Sequence, residues 1–195
     1  MTNTEIPDPR PLYARALGWV HGLMAGVAPA HLDDPTPCSE FDVRALLGHL
    51  LATVDRARIA GEGGSVLAAP SVITDVADED WATAHGTATE KLWSIWGDDA
   101  LLDRMMVLPW GTVPGRAAVW GYLNETLVHG WDLAVAVGSD PEADADLAAA
   151  ALAAVTRFLP AEPRGGPVPF AAVVESAAGA GPTERLANWS GHARL

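Results

Sequence analysis

Apolar residues recur every third or fourth position over much of this chain, which is the period of an amphipathic helix. Leu12, Ala16, Trp19 and Leu23 set the spacing for a first helix from Pro11 to about Val27. PAHLDDPTPCSEF is dense in prolines and turn-formers and reads as a loop. Asp42 is suited to cap a second helix, VRALLGHLLATVDRARIAG, which stops near Gly61. GEGGSVLAAPSVIT is a long connection. A third helix is expected from Asp80 through WATAHGTATEKLWSIWG, with Trp81, Ala88, Leu92, Ile95 and Trp96 on its buried stripe. RMMVLPWGTVPG suits either a short hairpin or an extended loop. The fourth and longest helix runs from about Pro114 to Val137, and an alanine-rich fifth from about Ala143 to Phe158. In the tail, PRGGPVPFAAVVES suggests a strand and PTERLANWSG a short terminal helix. No internal repeat interrupts the series. Four long helices with apolar stripes imply a bundle, and the connections are long enough for crossovers.

The fourth helix carries the feature that needs explaining. In LNETLVHGWDLA, Glu125 and His129 stand one turn apart, at about 0° and 40° on the helical wheel. Trp120, Leu123, Leu127 and Trp131 fill the opposite side. Glu125 and Asp132 are the only charged residues between Ala117 and Val137. A stripe facing water is the competing reading, but a solvated face of that length carries several Lys or Glu residues. A helix apolar nearly all round is buried, and a buried carboxylate costs several kcal/mol unless it is paired. One divalent cation would satisfy both the carboxylate and a neutral imidazole.

A stable site needs a third protein ligand. Among the remaining histidines, His31 in the proline-rich loop and His192 near the terminus are expected to be exposed, and His21 could be either. His85, one turn after Trp81, is the second choice. His49 is the first: it lies mid-helix in LLGHLLA, bordering the buried face beside Leu46 and Thr53. His49, Glu125 and His129 make a donor set suited to Zn2+, Fe2+, Ni2+ or Mn2+, with positions left for water or substrate. Asp132, near one turn past His129, is placed either to orient an imidazole through its other nitrogen, to pair with Arg44, or to face solvent as a plain surface acid.

Composition narrows the field. At 195 residues one domain is expected, over 1–195, with a bundle at about 10–140 and a C-terminal helix and tail at 141–195. The net charge of −13 disfavours nucleic acid and anionic lipid. No apolar run approaches the roughly 20 residues of a membrane span, and MTNTEIPDPR is no signal peptide. The single cysteine, Cys38, cannot form an internal disulfide, so a cytoplasmic protein is expected. Cys38, in a turn before a helix, is read as a structural thiol rather than a nucleophile. Lysine occurs only at Lys91 against many arginines, which suggests a GC-rich genome.

TPCSEFDVRALLGHL followed by NETLVHGWDLA resembles the DinB-like superfamily, and specifically the N-terminal domain of the mycothiol-dependent maleylpyruvate isomerase and related actinobacterial metal-binding proteins. The matching parts are Pro37-Cys38, His49, Glu125, His129 and Trp131-Asp132, within residues 10 to 140. The resemblance implies an all-α fold, a DinB-like four-helix bundle with a short C-terminal extension. It implies a divalent metal, commonly zinc, on His49, Glu125 and His129, with mycothiol as co-substrate. The isomerase carries a further C-terminal domain for which the tail is too short, so isomerisation of maleylpyruvate is not the expected activity. The expected activity is a metal-dependent thiol S-transfer, in which a small-molecule thiol is activated against an electrophile. Metal-assisted hydrolysis and a non-catalytic metal-binding or stress-response role are the alternatives. A homodimer is compatible with the sequence. LPWGTVPG, with Trp110, is expected to wall the pocket.

Overall fold

The computed structural model describes residues 7–166, 168 and 170–195. Six α-helices form: α1 (Arg10–Ala25), α2 (Val43–Glu62), α3 (Trp81–Trp96), α4 (Gly115–Ala136), α5 (Ala145–Phe158) and α6 (Pro182–Ser190). The hairpin alternative holds for the segment before α4. Strand β1 (Met105–Leu108) pairs antiparallel with β2 (Gly111–Pro114). The strand expected over PRGGPVPFAAVVES is absent among the described residues, where only an isolated bridge joins Gly165 to Val168. Pro167 and Pro169 lie outside the described residues. That segment packs against the C-terminal region instead, with Val174 N–H donating to Asn188 O at 2.9 Å.

Helices α1 to α4 make the bundle, with α1 against α3 and α4, and α2 against α3 and α4. Helices α5 and α6 pair with each other and cover the remaining side of α4. That cover explains why α4 is apolar nearly all round: Leu123, Leu127 and Trp131 are fully buried, and Asn124, Thr126, His129 and Asp132 are buried too. The apolar area thus removed from water is the main favourable term in the fold. Where α1 crosses α4, a Cβ on Gly130 would stand 2.4 Å from the Trp19 ring. Only glycine allows that approach.

Local signals act as read. Asp42 caps α2 by accepting from Ala45 N–H at 2.8 Å. On α3, Trp81, Leu92 and Trp96 are buried, while Ala88 and Ile95 are only partly so. The Trp96 indole N–H donates to Ala57 O at 2.8 Å and ties α3 to α2. No described helix is long and apolar enough to cross a membrane.

Candidate metal centre

His49 leaves α2 toward α4, and Glu125 and His129 leave α4 toward α2. One ligand atom from each of the three lies within 4.8 Å of the other two. His129 Nε2 is 3.7 Å from Glu125 Oε2, close to the edge of about 3.4 Å that tetrahedral zinc imposes on donors about 2.1 Å from the ion. That separation is too long for a hydrogen bond, so the contact is an ion pair.

Each imidazole is oriented through its other nitrogen. His49 Nδ1 stands 2.8 Å from Ser71 O and donates to it. Its Nε2 then carries a lone pair, is buried, and has no hydrogen-bond partner among the described residues. Burial, reinforced by nearby His129, lowers the His49 pKa to about 4, so the ring is neutral at physiological pH. Phe41 stacks on it with ring centres 4.9 Å apart and shields one face from water.

His129 Nδ1 donates to Asp132 Oδ2 at 2.9 Å. Asp132 is fully buried and also accepts from His192 Nδ1 at 2.9 Å. Burial opposes a charge on His129, but Asp132 and Glu125 on either side outweigh it and raise its pKa to about 10. Burial likewise raises the two carboxyls, and the imidazoles beside them more than offset it, so both pKa values end below the usual range. A positive charge between Glu125 and Asp132 is therefore the electrostatic demand of the site. A proton on His129 meets it in part, and a divalent cation would meet it more fully. The donor set fits such an ion: one neutral imidazole, one imidazole held by a carboxylate, and a Glu125 side chain with 29 % exposure that keeps one side open.

The remaining residues that the sequence singles out fall elsewhere. Arg44 pairs with Asp78, not with Asp132. His85 is 1 % exposed but lies between α1 and α3 beside His21, ring centres 6.0 Å apart, away from the three donors. His31 pairs with Asp34 near the surface. His192 corrects its reading as an exposed terminal residue. Gly191 ends α6 with φ 98° and turns the chain inward, and the His192 side chain is 18 % exposed against Asp132. A contact across 60 residues has no local signature; the one hint was the apolar stripe of α6, which had to dock somewhere. Cys38 lies closer to the centre than its turn suggested, with Sγ within 4.8 Å of donor atoms of His129 and Asp132. Burial raises its pKa to about 11, with Asp132 and Glu125 adding to the shift, so it is a protonated thiol at neutral pH. Trp110, 48 % exposed, packs edge-on to Tyr122 with ring centres 5.7 Å apart, one turn before Glu125.

The family model described as the mycothiol maleylpyruvate isomerase N-terminal domain matches residues 14–134. That span holds most of α1, all of α2 and α3, α4 as far as Ala134 and the three donors, but not His192. Two curated relatives from Mycobacterium tuberculosis, Uncharacterized protein MT0763 (strain CDC 1551) and Uncharacterized protein Rv0738 (strain H37Rv), are each 29 % identical over 164 residues, 84 % of this chain and 86 % of theirs. A crystal structure of the mycothiol-dependent maleylpyruvate isomerase superposes with a TM-score of 0.61 at 16 % identity, covering 79 % of this chain and 71 % of that one. A histidine-to-alanine mutant of it gives 0.58 at 14 %, with the same coverage. Likeness at that identity is one of fold: a DinB-like helical fold with a C-terminal extension.

Proposed function

The chain belongs to the mycothiol maleylpyruvate isomerase N-terminal-domain family, and from that membership we propose that it is a metal-dependent thiol S-transferase acting on a small-molecule thiol, mycothiol, and an electrophile. His49 Nε2, the Glu125 carboxylate and His129 Nε2 hold a divalent cation, with zinc the first choice and nickel or iron as alternatives. The observation that carries this is their convergence within 4.8 Å, with a buried, unpartnered Nε2 on His49. When bound, such a cation lowers the pKa of a coordinated thiol and presents it as a thiolate at neutral pH.

The chain's own residues do the positioning. Ser71 O keeps the proton of His49 on Nδ1, so that Nε2 points its lone pair at the centre. Asp132 does the same for His129 and, being itself held by His192, costs little reorganisation when charge accumulates nearby. Phe41 limits water on the α2 side. With its thiol protonated, Cys38 serves the packing of the turn and leaves the nucleophile to the co-substrate.

The test is metal analysis of the purified full chain and of His49→Ala, followed by thiol consumption with a panel of electrophiles. One equivalent of metal in the wild type, loss in the variant and metal-dependent consumption of mycothiol are expected. No metal in either protein sinks the proposal. Turnover of a substrate with no thiol consumed would replace thiol transfer by hydrolysis.

A further inference from the structure

Two groups of ligating side chains meet at His129. One is the three-donor centre. The other is Cys38, His129 and Asp132, with one donor atom from each within 4.8 Å of the other two. Asp132 is fully buried, His129 is 8 % exposed and Cys38 is half-buried. Each donor is held from behind. Asp132 Oδ1 accepts from His192 Nδ1–H at 2.9 Å, which leaves Oδ2 to His129 Nδ1, also at 2.9 Å. Cys38 sits in a closed turn: its carbonyl accepts from Phe41 N–H at 2.9 Å, and the Thr36 hydroxyl is shared between Cys38 O at 2.9 Å and Phe41 O at 2.7 Å. Phe41 of the same turn stacks on His49 and meets His129 edge-on, ring centres 4.9 and 6.3 Å apart. The thiol is thus carried on a turn that packs against both imidazoles of the first centre.

The second donor set differs in kind from the first. It adds sulfur to nitrogen and carboxylate oxygen, and a thiolate favours Zn2+ and softer ions such as Cd2+ over Mg2+, Ca2+ or Mn2+. A proton now lies between His129 Nδ1 and Asp132 Oδ2. Their 2.9 Å separation is about 0.5 Å short of the edge between two donors about 2.1 Å from a tetrahedral zinc ion, so a small opening seats an ion in place of that proton. Cys38 Sγ, within 4.8 Å of both, closes by no more than about 1.2 Å to reach the edge of about 3.6 Å that a Zn–S bond of about 2.3 Å sets. Rotation about one side-chain bond supplies such a movement. The charges also match. Glu125, Asp132, a Cys38 thiolate and a His129 imidazolate carry four negative charges between them, which balance two divalent cations, one on each nitrogen of the shared ring.

We infer that Cys38 Sγ, His129 Nδ1 and Asp132 Oδ2 form a second cation site, across the His129 ring from the first, which takes a sulfur-favouring divalent ion such as zinc. The site shares His129 with the three-donor centre but needs neither His49 nor Glu125. Seating the ion forms one bond from each donor and releases two protons, one from the Cys38 thiol and one from His129 Nδ1. The first ion displaces only the His129 Nε2 proton, so the second site is the weaker one and fills on titration rather than in the protein as purified. Once filled, it fastens the turn that carries Phe41 to α4.

Cys38 is the one cysteine in the chain, so any thiolate-to-metal absorption reports this site alone. Co2+ titration of the EDTA-treated full chain, read by absorption and metal analysis, tests the assignment on wild type, Cys38→Ser and His49→Ala. Wild type is expected to take up two equivalents, with a near-ultraviolet thiolate-to-Co2+ band that rises with the second. Cys38→Ser is expected to take up one, without the band and with the metal-free melting temperature unchanged. His49→Ala is expected to take up one, with the band. Excess Zn2+ is expected to slow alkylation of Cys38 by iodoacetamide at least about tenfold in wild type and in His49→Ala, because the metal-held thiolate is no longer a free nucleophile. One equivalent in wild type without the band overturns the second site and leaves the three-donor centre standing. One equivalent with the band in wild type and His49→Ala alike upholds the second site and removes the reading of His49 as a ligand. A band that disappears in His49→Ala makes Cys38 a ligand of the first ion and overturns the second site. Two equivalents in Cys38→Ser, or alkylation indifferent to Zn2+, overturns it too, and uptake of no metal by any of the three proteins overturns both centres.

Discussion

Gly48→Ala is the substitution that most directly tests how His49 is held. Gly48 lies on α2 directly beneath the segment 71–73. An added Cβ would stand 2.2 Å from Ile73 O and 2.9 Å from Val72 Cγ1. The nearest atom is backbone, so the segment has to withdraw by about 1 Å to reach ordinary contact. Two hydrogen bonds cross that gap: Ile73 N–H to Gly48 O at 3.1 Å and His49 Nδ1–H to Ser71 O at 2.8 Å. A 1 Å withdrawal takes both beyond hydrogen-bond range. Their loss costs about 1 kcal/mol each, and residual overpacking adds about 1 kcal/mol or more. The better helix propensity of alanine returns about 1 kcal/mol. The net expectation is about 2 kcal/mol of destabilisation, a fall of about 4–8 °C in melting temperature for a chain of this size. With Ser71 O gone, His49 loses both its tautomer bias and its ring orientation, and zinc affinity is expected to fall about 10- to 100-fold although all three donors are intact. Gly22→Ala on α1 is the control: nothing lies within 4 Å of its Cβ, so the same exchange should stabilise by up to about 1 kcal/mol. Thermal and urea denaturation of metal-free protein and competitive zinc titration read both quantities. A Gly48→Ala protein as stable as wild type, or one that binds zinc with wild-type affinity, refutes the reasoning.

Asp132→Asn removes the charge that both His129 and His192 lean on, and competitive zinc titration should show a loss of about 10- to 100-fold; an unchanged affinity would mean that His129 is oriented by packing alone. Buried His85, pushed down to about 4 from its usual 6.5 by burial and by His21, binds its proton in the unfolded chain before it does in the fold. Its contribution is therefore complete above pH 6.5 and lost as the pH falls toward 4, up to about 3 kcal/mol. Metal-free denaturation curves at pH 7, 6, 5 and 4.5 should show a shallower decline for His85→Leu than for wild type, and parallel curves would contradict the assignment. Gly130→Ala forces a methyl to 2.4 Å from the Trp19 ring and should cost about 1–3 kcal/mol by overpacking at the α1–α4 crossing, read as a lower urea midpoint with an unchanged m-value.

Much of the molecule was legible from pattern because the signals are local. The 3.6-residue period marks each helix, and the Asp42 cap and the proline- and glycine-rich breaks mark where helices start and stop. Glu125 and His129 stood out because polarity inside an apolar helix is itself an anomaly. One local feature separates His49 from His85, its position beside Leu46 and Thr53 at the edge of a buried face. PRGGPVPFAAVVES, whose apolar residues pack without pairing as a strand among the described residues, and His192, which turns in against Asp132, depend on contacts that no local pattern marks.

What the sequence determined by itself was the set of helices, their buried faces and the residue types able to bear chemistry, since each follows from neighbours within one or two turns. Only the tertiary structure decided which of those residues meet. It returned His192 from the C-terminus to share Asp132 with His129. It brought Ser71 to the back of His49. It also set the Arg56 guanidinium on Ala69 O, while Arg44 and Arg58 on the same helix found carboxylates. The Ser71 and His192 contacts join residues 22 and 60 positions apart. Chain-distant partners are selected by how α1, α2, α4 and α6 pack, and no periodicity along the chain encodes the distance between two side chains on different helices.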